Sequence, residues 1–421
     1  MNFLLSRPET SKEFNRRLVL NQIRQHDGIA RSDIVRLTGL SKATVSAIVA
    51  DLMETGLVVE NGNQNSPVGR PRIALALVPD ANFAVGVELT DEECRVVLVN
   101  LHAEPVRRVS RPVANADLTV ASLLHLLESC VAEVTAGIDQ QRILALGVCI
   151  PGIVNPPQGV VTYSVILPWQ NVALGEALSA CFAYPVAVFS RGTAATWGER
   201  WYGAGKAVEN LLYIRVGSGI VGGLVLHGQP YLGRHFGAGE LGHVTVDPDG
   251  LRCRCGNRGC LATVATTGAL LNRVRHLLQT APSNAPADGL WQKVQQQPDD
   301  LTLTDVVMAA NTGNQVAIQA FAEVGRWVGV ATAAAVNLLN LEMLIVGGPL
   351  ARAGEHLLQP LRAELAQRTL PIHLAQLLVV TSVLKEDAPA IGAASLVLHE
   401  LMSPLQPAIT PALSSDGVSL F

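Results

Sequence analysis

One stretch of the chain combines residue types that bind transition metals. His243, Cys253, Cys255 and Cys260 follow the spacing H-x9-C-x-C-x4-C and include three of the seven cysteines. Thiolate sulfur and imidazole nitrogen suit Zn2+, and four protein ligands fill a tetrahedral site without leaving a position for water. The spacing therefore predicts a structural zinc site rather than a catalytic one. Two alternatives fit the same residues, a disulfide or a group of reduced surface cysteines.

The other cysteines indicate the compartment. Each is single and lies in an apolar segment, which is typical of buried thiols in a reducing environment. They are Cys94, Cys130, Cys149 and Cys181. The first residues contain too short an apolar run for a secretory signal, and the apolar segment 328–348 is interrupted by two asparagines and Glu342. We therefore expect a cytoplasmic protein without membrane insertion.

Composition and charge indicate two kinds of module. Hydrophobic residues make up 49% of the 421 residues and charged residues 16%, which excludes a mainly disordered chain. The aromatic share of 4% favours aliphatic α/β cores. Residues 1–75 carry ten basic and seven acidic side chains, whereas the whole chain has a net charge of −4. A basic head on an acidic body is typical of a nucleic-acid-binding module fused to another domain.

Three helices are predicted in the head. The first covers 15–28 and the second 31–39, with Ser32 as the expected N-cap and Gly39 as the C-cap. The third begins after Ser41, and its apolar residues at 45, 48, 49 and 52 form one face that must pack on the other two helices.

The opposite face of the third helix is small, polar and free of acids until Asp51. This pattern predicts a helix-turn-helix whose third helix enters the major groove, where small side chains let the backbone approach the base edges. An ordinary three-helix bundle is the alternative. The residues predicted to face DNA from the helices are Arg31, Ser41, Lys42, Ala43, Thr44, Ser46 and Ala47.

A β-hairpin is predicted after the helices. Residues 56–79 have the pattern of strand, polar turn and strand that forms the wing of a winged helix. Pro71 stiffens the second arm between Arg70 and Arg72, which are placed to contact phosphates or a narrow minor groove. A solvated turn with two arginines is the alternative. The predicted DNA-binding domain covers 1–78.

Strands and helices alternate in the rest of the chain, which predicts an α/β body of two lobes. We expect the first lobe to cover 79–190 and to be rejoined by 386–402. The second lobe, with the zinc site, covers 191–385. Residues 403–421 contain three prolines and predict a flexible tail.

Several motifs of the body occur in a recognisable order: "VGVELTDEE", "IPGIVN", "VGSGIVGG", "GELGH", "CRCGNRGC" and "NLLNLEMLIVGGPL". With the winged helix in front, the chain resembles the transcriptional-repressor branch of the ROK family (repressors, open reading frames and sugar kinases). The resemblance implies an actin-like, sugar-kinase body with ribonuclease H-like lobes. It also implies homodimers or homotetramers on palindromic double-stranded operators, controlled by a sugar-like effector or a partner protein.

The residues that serve catalysis in the family's kinases are changed here. Glu88 stands for the Asp of the phosphate loop, and Val221 replaces a glycine of the second loop. Ser190 and Arg191 stand for the Asn-Asp pair whose Asp is the catalytic base. A guanidinium cannot accept a proton at neutral pH, since its pKa lies above about 12. We therefore predict no kinase activity; the alternative is a sugar kinase with an added DNA-binding domain.

The same resemblance implies an effector pocket at Gly152, Ser190, Arg191 and Glu240. Glu240 is the Glu of the family's Glu-x-Gly-His motif, but Ala262 replaces a second family Glu, and Asn155 stands where Asp is common. Arg191 suits an anionic group on a modified sugar. The alternatives are a structural ion pair at Arg191 in a vestigial pocket, and control by a protein partner. The expected function is a DNA-binding regulator that represses carbohydrate genes.

Overall fold

The structure, a computed structural model, describes residues 8–64, 72–90, 92–113, 119–280 and 289–403. One compact unit contains the chain up to Phe189 together with the segment from Ala393 onward, and the second contains Ser190–Gly392. The predicted flexible tail, apart from Ser403, and Arg70 lie outside the described residues.

The first unit begins with a winged helix. Its elements are α1 (Pro8–Gln25), β1 (Ile29–Ala30), α2 (Arg31–Thr38), α3 (Lys42–Glu54), β2 (Val58–Gln64) and β3 (Arg72–Leu77), with strand order β1-β3-β2. Val45, Val49 and Leu52 are fully buried, as the helical spacing predicts. The three predicted helices and the hairpin are therefore confirmed.

The ends of these helices show which local predictions hold. The Ser41 side chain accepts a hydrogen bond from the Thr44 amide and begins α3, and Gly39 ends α2 with a φ of 71°. The N-cap expected at Ser32 is wrong, because α2 already begins at Arg31 and its N-cap, Ala30, is held in strand β1. Pairing of β1 with β3 decides where this helix starts.

A five-stranded sheet forms the centre of the first lobe. The elements after the wing are β4 (Phe83–Leu89), β5 (Glu93–Asn100), β6 (Pro105–Pro112), α4 (Val120–Val134), β7 (Ile143–Ile150), β8 (Ile153–Asn155), β9 (Val160–Tyr163), β10 (Gln170–Val172), α5 (Leu174–Ser179) and β11 (Val186–Ser190). The central sheet has the order β11-β7-β4-β5-β6, and β8 to β10 form a separate small sheet. The buried faces of the sheet and of α4 share one apolar core.

The second unit contains a sheet of the same topology. Its elements, with the last helix of the chain, are α6 (Arg191–Tyr202), β12 (Leu211–Val216), β13 (Ile220–Leu226), β14 (Gln229–Tyr231), α7 (Thr267–Gln279), α8 (Gly289–Gln296), α9 (Leu303–Asn311), α10 (Gln315–Leu339), β15 (Met343–Gly347), α11 (Glu355–Arg368), α12 (Pro371–Leu374), β16 (Leu378–Thr381) and α13 (Ala388–Met402). The strand order is β14-β13-β12-β15-β16. In both sheets three antiparallel strands come first and the fourth pairs parallel with the first, so the predicted two-lobed α/β body is confirmed.

None of the helices in the described ranges has both the length and the apolarity that crossing a membrane requires.

The last helix carries a buried acidic residue. Most side chains of α13 are apolar and buried, yet Glu400 is also only 4% exposed. Neither of its carboxylate oxygens has a hydrogen-bond partner among the described residues. Burial raises the pKa of Glu400 from its ordinary value of 4.5 to about 8, because the apolar surroundings disfavour the charged form.

We predict that Glu400→Gln changes how stability depends on pH. Between pH 4.5 and pH 8 the carboxyl is ionised in the unfolded chain but neutral in the folded protein. The free energy of unfolding therefore falls as pH rises through this window, by an amount on the order of a few kcal/mol. The difference in Tm between variant and parent should shift by several degrees in favour of the variant from pH 5 to pH 8. Glu128→Gln, at an exposed position of α4, is the control; a pH-independent difference for Glu400→Gln would contradict the prediction.

Candidate functional site

The four predicted metal ligands lie together. One donor atom from each of His243, Cys253, Cys255 and Cys260 lies within 4.8 Å of the other three. The Cys255 and Cys260 sulfurs are 3.8 Å apart, and the Cys253 sulfur is 3.8 Å from Nδ1 of His243. Tetrahedral zinc with Zn–S bonds of about 2.3 Å requires sulfurs about 3.8 Å apart. The cluster therefore has the donor types and the spacing of a metal site.

Two short turns place these ligands. His243 ends the 3-10 turn Leu241–His243, and Cys260 immediately precedes the 3-10 turn Leu261–Thr263. The β-bridge between Thr245 and Cys260 connects the two turns. Gly259 has a φ of 68°, and a β-carbon there would overlap the carbonyl oxygen of Asp247. The loop can therefore close around the ligands only with glycine at this position.

The pKa shift of His243 suits a bound cation, whereas that of Cys260 keeps its thiol protonated until a cation binds. Burial lowers the pKa of His243, which favours the neutral imidazole with a free lone pair. Burial raises the pKa of Cys260 to about 12, and the neighbouring sulfurs of Cys255 and Cys253 add to the effect. Three thiolates this close repel one another, so a positive ion would stabilise the group.

Glu240 begins the turn that ends in His243, and it is partly buried. Burial raises its pKa, which favours the neutral carboxyl. Glu240 lines a cavity of about 190 Å³ whose other walls are mainly apolar. Those walls include Leu212, Leu224, Leu241, Val244 and Leu339.

Ser190 and Arg191, which the resemblance predicts to stand for an Asn-Asp pair, begin α6. Ser190 is the N-cap: its Oγ accepts from the Thr193 amide at 3.3 Å and lies 2.8 Å from the Thr193 hydroxyl. Arg191 is the first helical residue and is only 1% exposed. The N-terminal end of a helix carries a partial positive charge, which would stabilise an aspartate but opposes a guanidinium. The helix therefore supplies no proton acceptor at this position.

The structure brings the segments of Arg191 and Glu240 together. Gly192 and Gly239, which adjoin them in the sequence, both pack against the Gly222 backbone of β13. A β-carbon at Gly192 would overlap the Gly222 carbonyl oxygen, and one at Gly239 would lie 2.7 Å from the same atom. Gly222 also donates from its amide to the Gly239 carbonyl at 2.9 Å. The sequence showed Gly222 as part of a glycine motif, but it did not show that the segments of Arg191 and Glu240 both pack against it.

Gly152 belongs to the first unit and has a local reason to be glycine. Its φ is 138°, and a β-carbon would lie 2.5 Å from the carbonyl oxygen of Tyr163 in β9. The close approach of the β8–β9 hairpin therefore excludes a side chain. An effector contact at Gly152 stays a prediction.

The turn between β4 and β5, where the family's kinases hold ATP phosphates, is closed by its own residues. The Thr90 hydroxyl accepts hydrogen bonds from the amides of Glu92 and Glu93 at 3.1 and 2.9 Å. The Thr90 amide donates to the Glu93 carbonyl at 2.8 Å. Glu88 is buried and lies 3.4 Å from Nη1 of Arg95, which also pairs with Glu93. The amides of Thr90, Glu92 and Glu93 are thus already bonded within the turn and are not available to a phosphate.

The predicted DNA-binding face of α3 is exposed. Lys42, Ala43, Ser46 and Ala47 all lie at the surface, whereas Ser41 and Thr44 form the cap. Sequence reasoning missed Ala50, which is also exposed and follows Ser46 by one helical repeat of four.

An ion pair partly neutralises the acid that ends this face. Nε of Arg16 in α1 lies 2.9 Å from Oδ2 of Asp51. The same pair connects α1 to α3. The exposed surface of α3 is thus basic or neutral over the first turns.

The predicted arginines fall in different places. Arg31 donates from Nη1 to Oε1 of Glu60 at 2.8 Å, and its Nη2 lies 3.6 Å from the sulfur of Met53. These contacts tie the start of α2 to the wing and to α3. Arg72 begins β3, but its side chain is outside the described part of the chain, as is all of Arg70. DNA contact by any of the three remains a prediction.

Comparison with known families covers both parts of the chain. The ROK family model matches residues 84–400, and the MarR family model matches residues 14–65. The first match spans the two-lobed body and the second lies in the winged helix.

Whole-length relatives have the same organisation. The chain is 31% identical to the xylose repressor of Caldicellulosiruptor bescii over 93% of this chain and 97% of that protein. It is 30% identical to the DNA-binding transcriptional dual regulator NagC of Escherichia coli K12, over 93% and 94%.

One solved structure matches nearly the whole chain, and another matches about three quarters of it. A ROK family transcriptional regulator, described as a homologue of the E. coli MLC protein, matches 96% of this chain and 100% of its own, with a TM-score of 0.80 and 27% identity. A ROK family glucokinase from Streptomyces griseus, in complex with glucose and AMPPNP, matches 75% of this chain and 99% of its own, with a TM-score of 0.68 and 26% identity. The chain therefore belongs to the ROK family, and it has the MarR-type DNA-binding domain and the full-length architecture of that family's transcriptional regulators.

Proposed function

We propose that the protein is a DNA-binding transcriptional repressor of carbohydrate genes, with a ROK body that senses an effector and has lost kinase chemistry. The observation that carries the proposal is the exposed, small and acid-poor face of α3 in a winged helix that precedes the ROK body. Names of the full-length relatives support the same function.

The face of α3 suits the major groove. Alanine and serine at 43, 46, 47 and 50 allow close approach, and their methyl and hydroxyl groups can contact thymine methyls and polar base edges. Lys42 adds a phosphate contact at the start of the helix. We expect Arg31, whose guanidinium donates to Glu60, to contact the DNA backbone, as do Arg70 and Arg72 of the wing. A homodimer or homotetramer would place these elements on a palindromic operator.

Three features argue against phosphoryl transfer in the body. The turn at Thr90 uses its amides internally, Glu92 and Glu93 add negative charge at the same loop, and Arg191 stands at the position that the resemblance gives to the catalytic base. Positioning of phosphates and a proton acceptor are both needed for transfer to a sugar hydroxyl. We infer that this body lacks both, because the described amides at Thr90 are bonded internally and Arg191 cannot accept a proton.

The Cys3His cluster suits structural Zn2+. With four protein ligands the ion would have no open position, so it would supply stability and not Lewis-acid chemistry. His243 ends the turn that Glu240 begins, so the metal would fix the position of Glu240.

We expect the effector to contact Glu240 together with Ser190, Arg191 and Gly152. A carboxyl whose pKa is raised can donate as well as accept a hydrogen bond, which fits a sugar hydroxyl. If no sugar or sugar phosphate alters operator affinity, a protein partner becomes the controlling ligand.

We predict that operator selection with the purified protein yields a palindromic sequence, and that Arg70→Ala and Arg72→Ala each weaken its binding severalfold. Each change removes about one phosphate contact, so the slope of log K against log salt should fall by about one. Titrations by fluorescence anisotropy at several salt concentrations measure both quantities. Arg234→Ala, at an exposed position of the body, is the matched control. Selection of no sequence would refute the proposed function; unchanged affinity in both wing variants would refute their role.

We predict that ATP neither binds nor reacts. Thermal shift with Mg-ATP should show no change in Tm, and a coupled assay with a panel of hexoses should show no turnover, because the turn amides at Thr90 are occupied. A ROK glucokinase assayed in parallel is the positive control. Sugar-dependent ATP consumption above the blank would overturn the assignment of a non-catalytic body.

We predict one zinc ion per chain in protein purified without chelator. In Cys260→Ser the zinc content should fall well below one ion per chain. Its Tm should be lower by several degrees, because the ion would no longer hold the ligands together. Metal analysis and thermal denaturation provide the readouts. Cys181→Ser should change neither, because Cys181 lies outside the cluster and is exposed, contrary to the burial expected from the sequence. Fully folded protein without metal, with the Tm of the parent, would rule out a structural ion.

A further inference from the structure

Helix α1 of the winged helix is connected to α13, the last helix of the body, by a polar contact. Nη2 of Arg24 lies 3.0 Å from Nδ1 of His399 and donates to Oδ1 of Asn21 at 2.8 Å. A guanidinium has only donors, so Nδ1 of His399 must be the unprotonated ring nitrogen that accepts. Arg24 and His399 are 375 positions apart in the chain, so this contact connects the first described helix to the last one.

The contact is partly shielded from water. Asn21 is buried, and the other two guanidinium nitrogens of Arg24, Nε and Nη1, are inaccessible to solvent although the residue as a whole is only partly buried. A hydrogen bond to a charged donor is strong under these conditions, and its loss leaves a buried polar group with fewer partners. The contact therefore restrains the angle between the two helices more than an exposed ion pair would.

Helix α1 is bonded on another side to the recognition helix. Arg16 pairs with Asp51 of α3 at 2.9 Å, and Val19, Leu20 and Ile23 of α1 are buried in the core of the head. A restraint on α1 is thus a restraint on α3. The chain of contacts runs from His399 through Arg24 and Arg16 to the helix that faces DNA.

We propose that Arg24 is a positioning residue for operator binding. It sets the orientation of the head on the body through His399, so that two heads of an oligomer present their recognition helices at a fixed separation. The proposal rests on the proposed function. When two heads are held at the correct separation, binding of one head to its half-site gives the second head a high effective concentration at the other half-site. Loosely held heads have a lower effective concentration and therefore bind the full palindrome more weakly.

The test compares a full palindrome with a single half-site. Using the sequence selected above, we expect Arg24→Ala and His399→Leu to weaken binding to the full operator about tenfold or more at fixed salt. Affinity for one half-site should stay within about twofold, because the face of α3 is unchanged. Both variants should also tolerate one or two base pairs inserted between the half-sites better than the parent does.

Two further variants separate positioning from folding. His399→Gln keeps a carbonyl oxygen that can accept from Arg24 and should retain most of the full-operator affinity. Arg17→Ala, which removes an arginine of α1 paired only within that helix to Glu13 at 3.0 Å among the described contacts, should leave the ratio of full-site to half-site affinity unchanged. Thermal denaturation of each variant checks folding, and if Arg24→Ala is unfolded, His399→Leu carries the same comparison.

The outcomes are distinct. Equal losses on the half-site and the full operator would show that Arg24 contacts DNA or stabilises the head, and would overturn the proposal. Unchanged binding of Arg24→Ala and His399→Leu to both DNAs would overturn it as well. If the parent protein binds no selected sequence, the proposed function fails and the positioning role fails with it.

Discussion

Contact between backbones at Gly222 is the constraint on which the second unit depends. Helix α6 and the turn that carries Glu240 both meet β13 there, at distances that leave no room for a β-carbon. A side chain at Gly192 or Gly239 would push one of these segments away from the sheet. The Cys3His cluster lies at the far end of the same turn, at His243, where a bound ion would hold it.

This packing gives the glycine motifs of the body a structural role that does not depend on catalysis. In a kinase, glycines next to a nucleotide are usually assigned to close approach of phosphate. Here Gly222 and Gly192 have a second reason to be glycine, because α6 and β13 pack closely at these residues. This reason applies whether or not a nucleotide binds. Glycine patterns alone therefore identify the fold but not the reaction.

Local patterns predicted much of this structure. Helical spacing predicted the buried face of α3, and ligand spacing predicted that His243 and the three cysteines lie together. The contacts that sequence could not predict join distant positions: Arg24 with His399, and Arg31 with Glu60. The Ser32 cap failed for the same reason, because the pairing of β1 with β3 overrode a local preference. Ala50, by contrast, was within reach of the helical repeat.

The closed turn at Thr90 has a consequence for what the protein reports. A ligand shifts a conformational equilibrium only if it binds one state better than another. If a body of this fold bound ATP more tightly in one of its states, its conformational equilibrium would depend on ATP as well as on the sugar. With its phosphate-facing amides already satisfied by a threonine hydroxyl, this body would respond to nutrient identity independently of adenylate charge. Under the proposed function, the Thr90 hydroxyl therefore makes the response of the regulator depend on the carbohydrate and not on ATP.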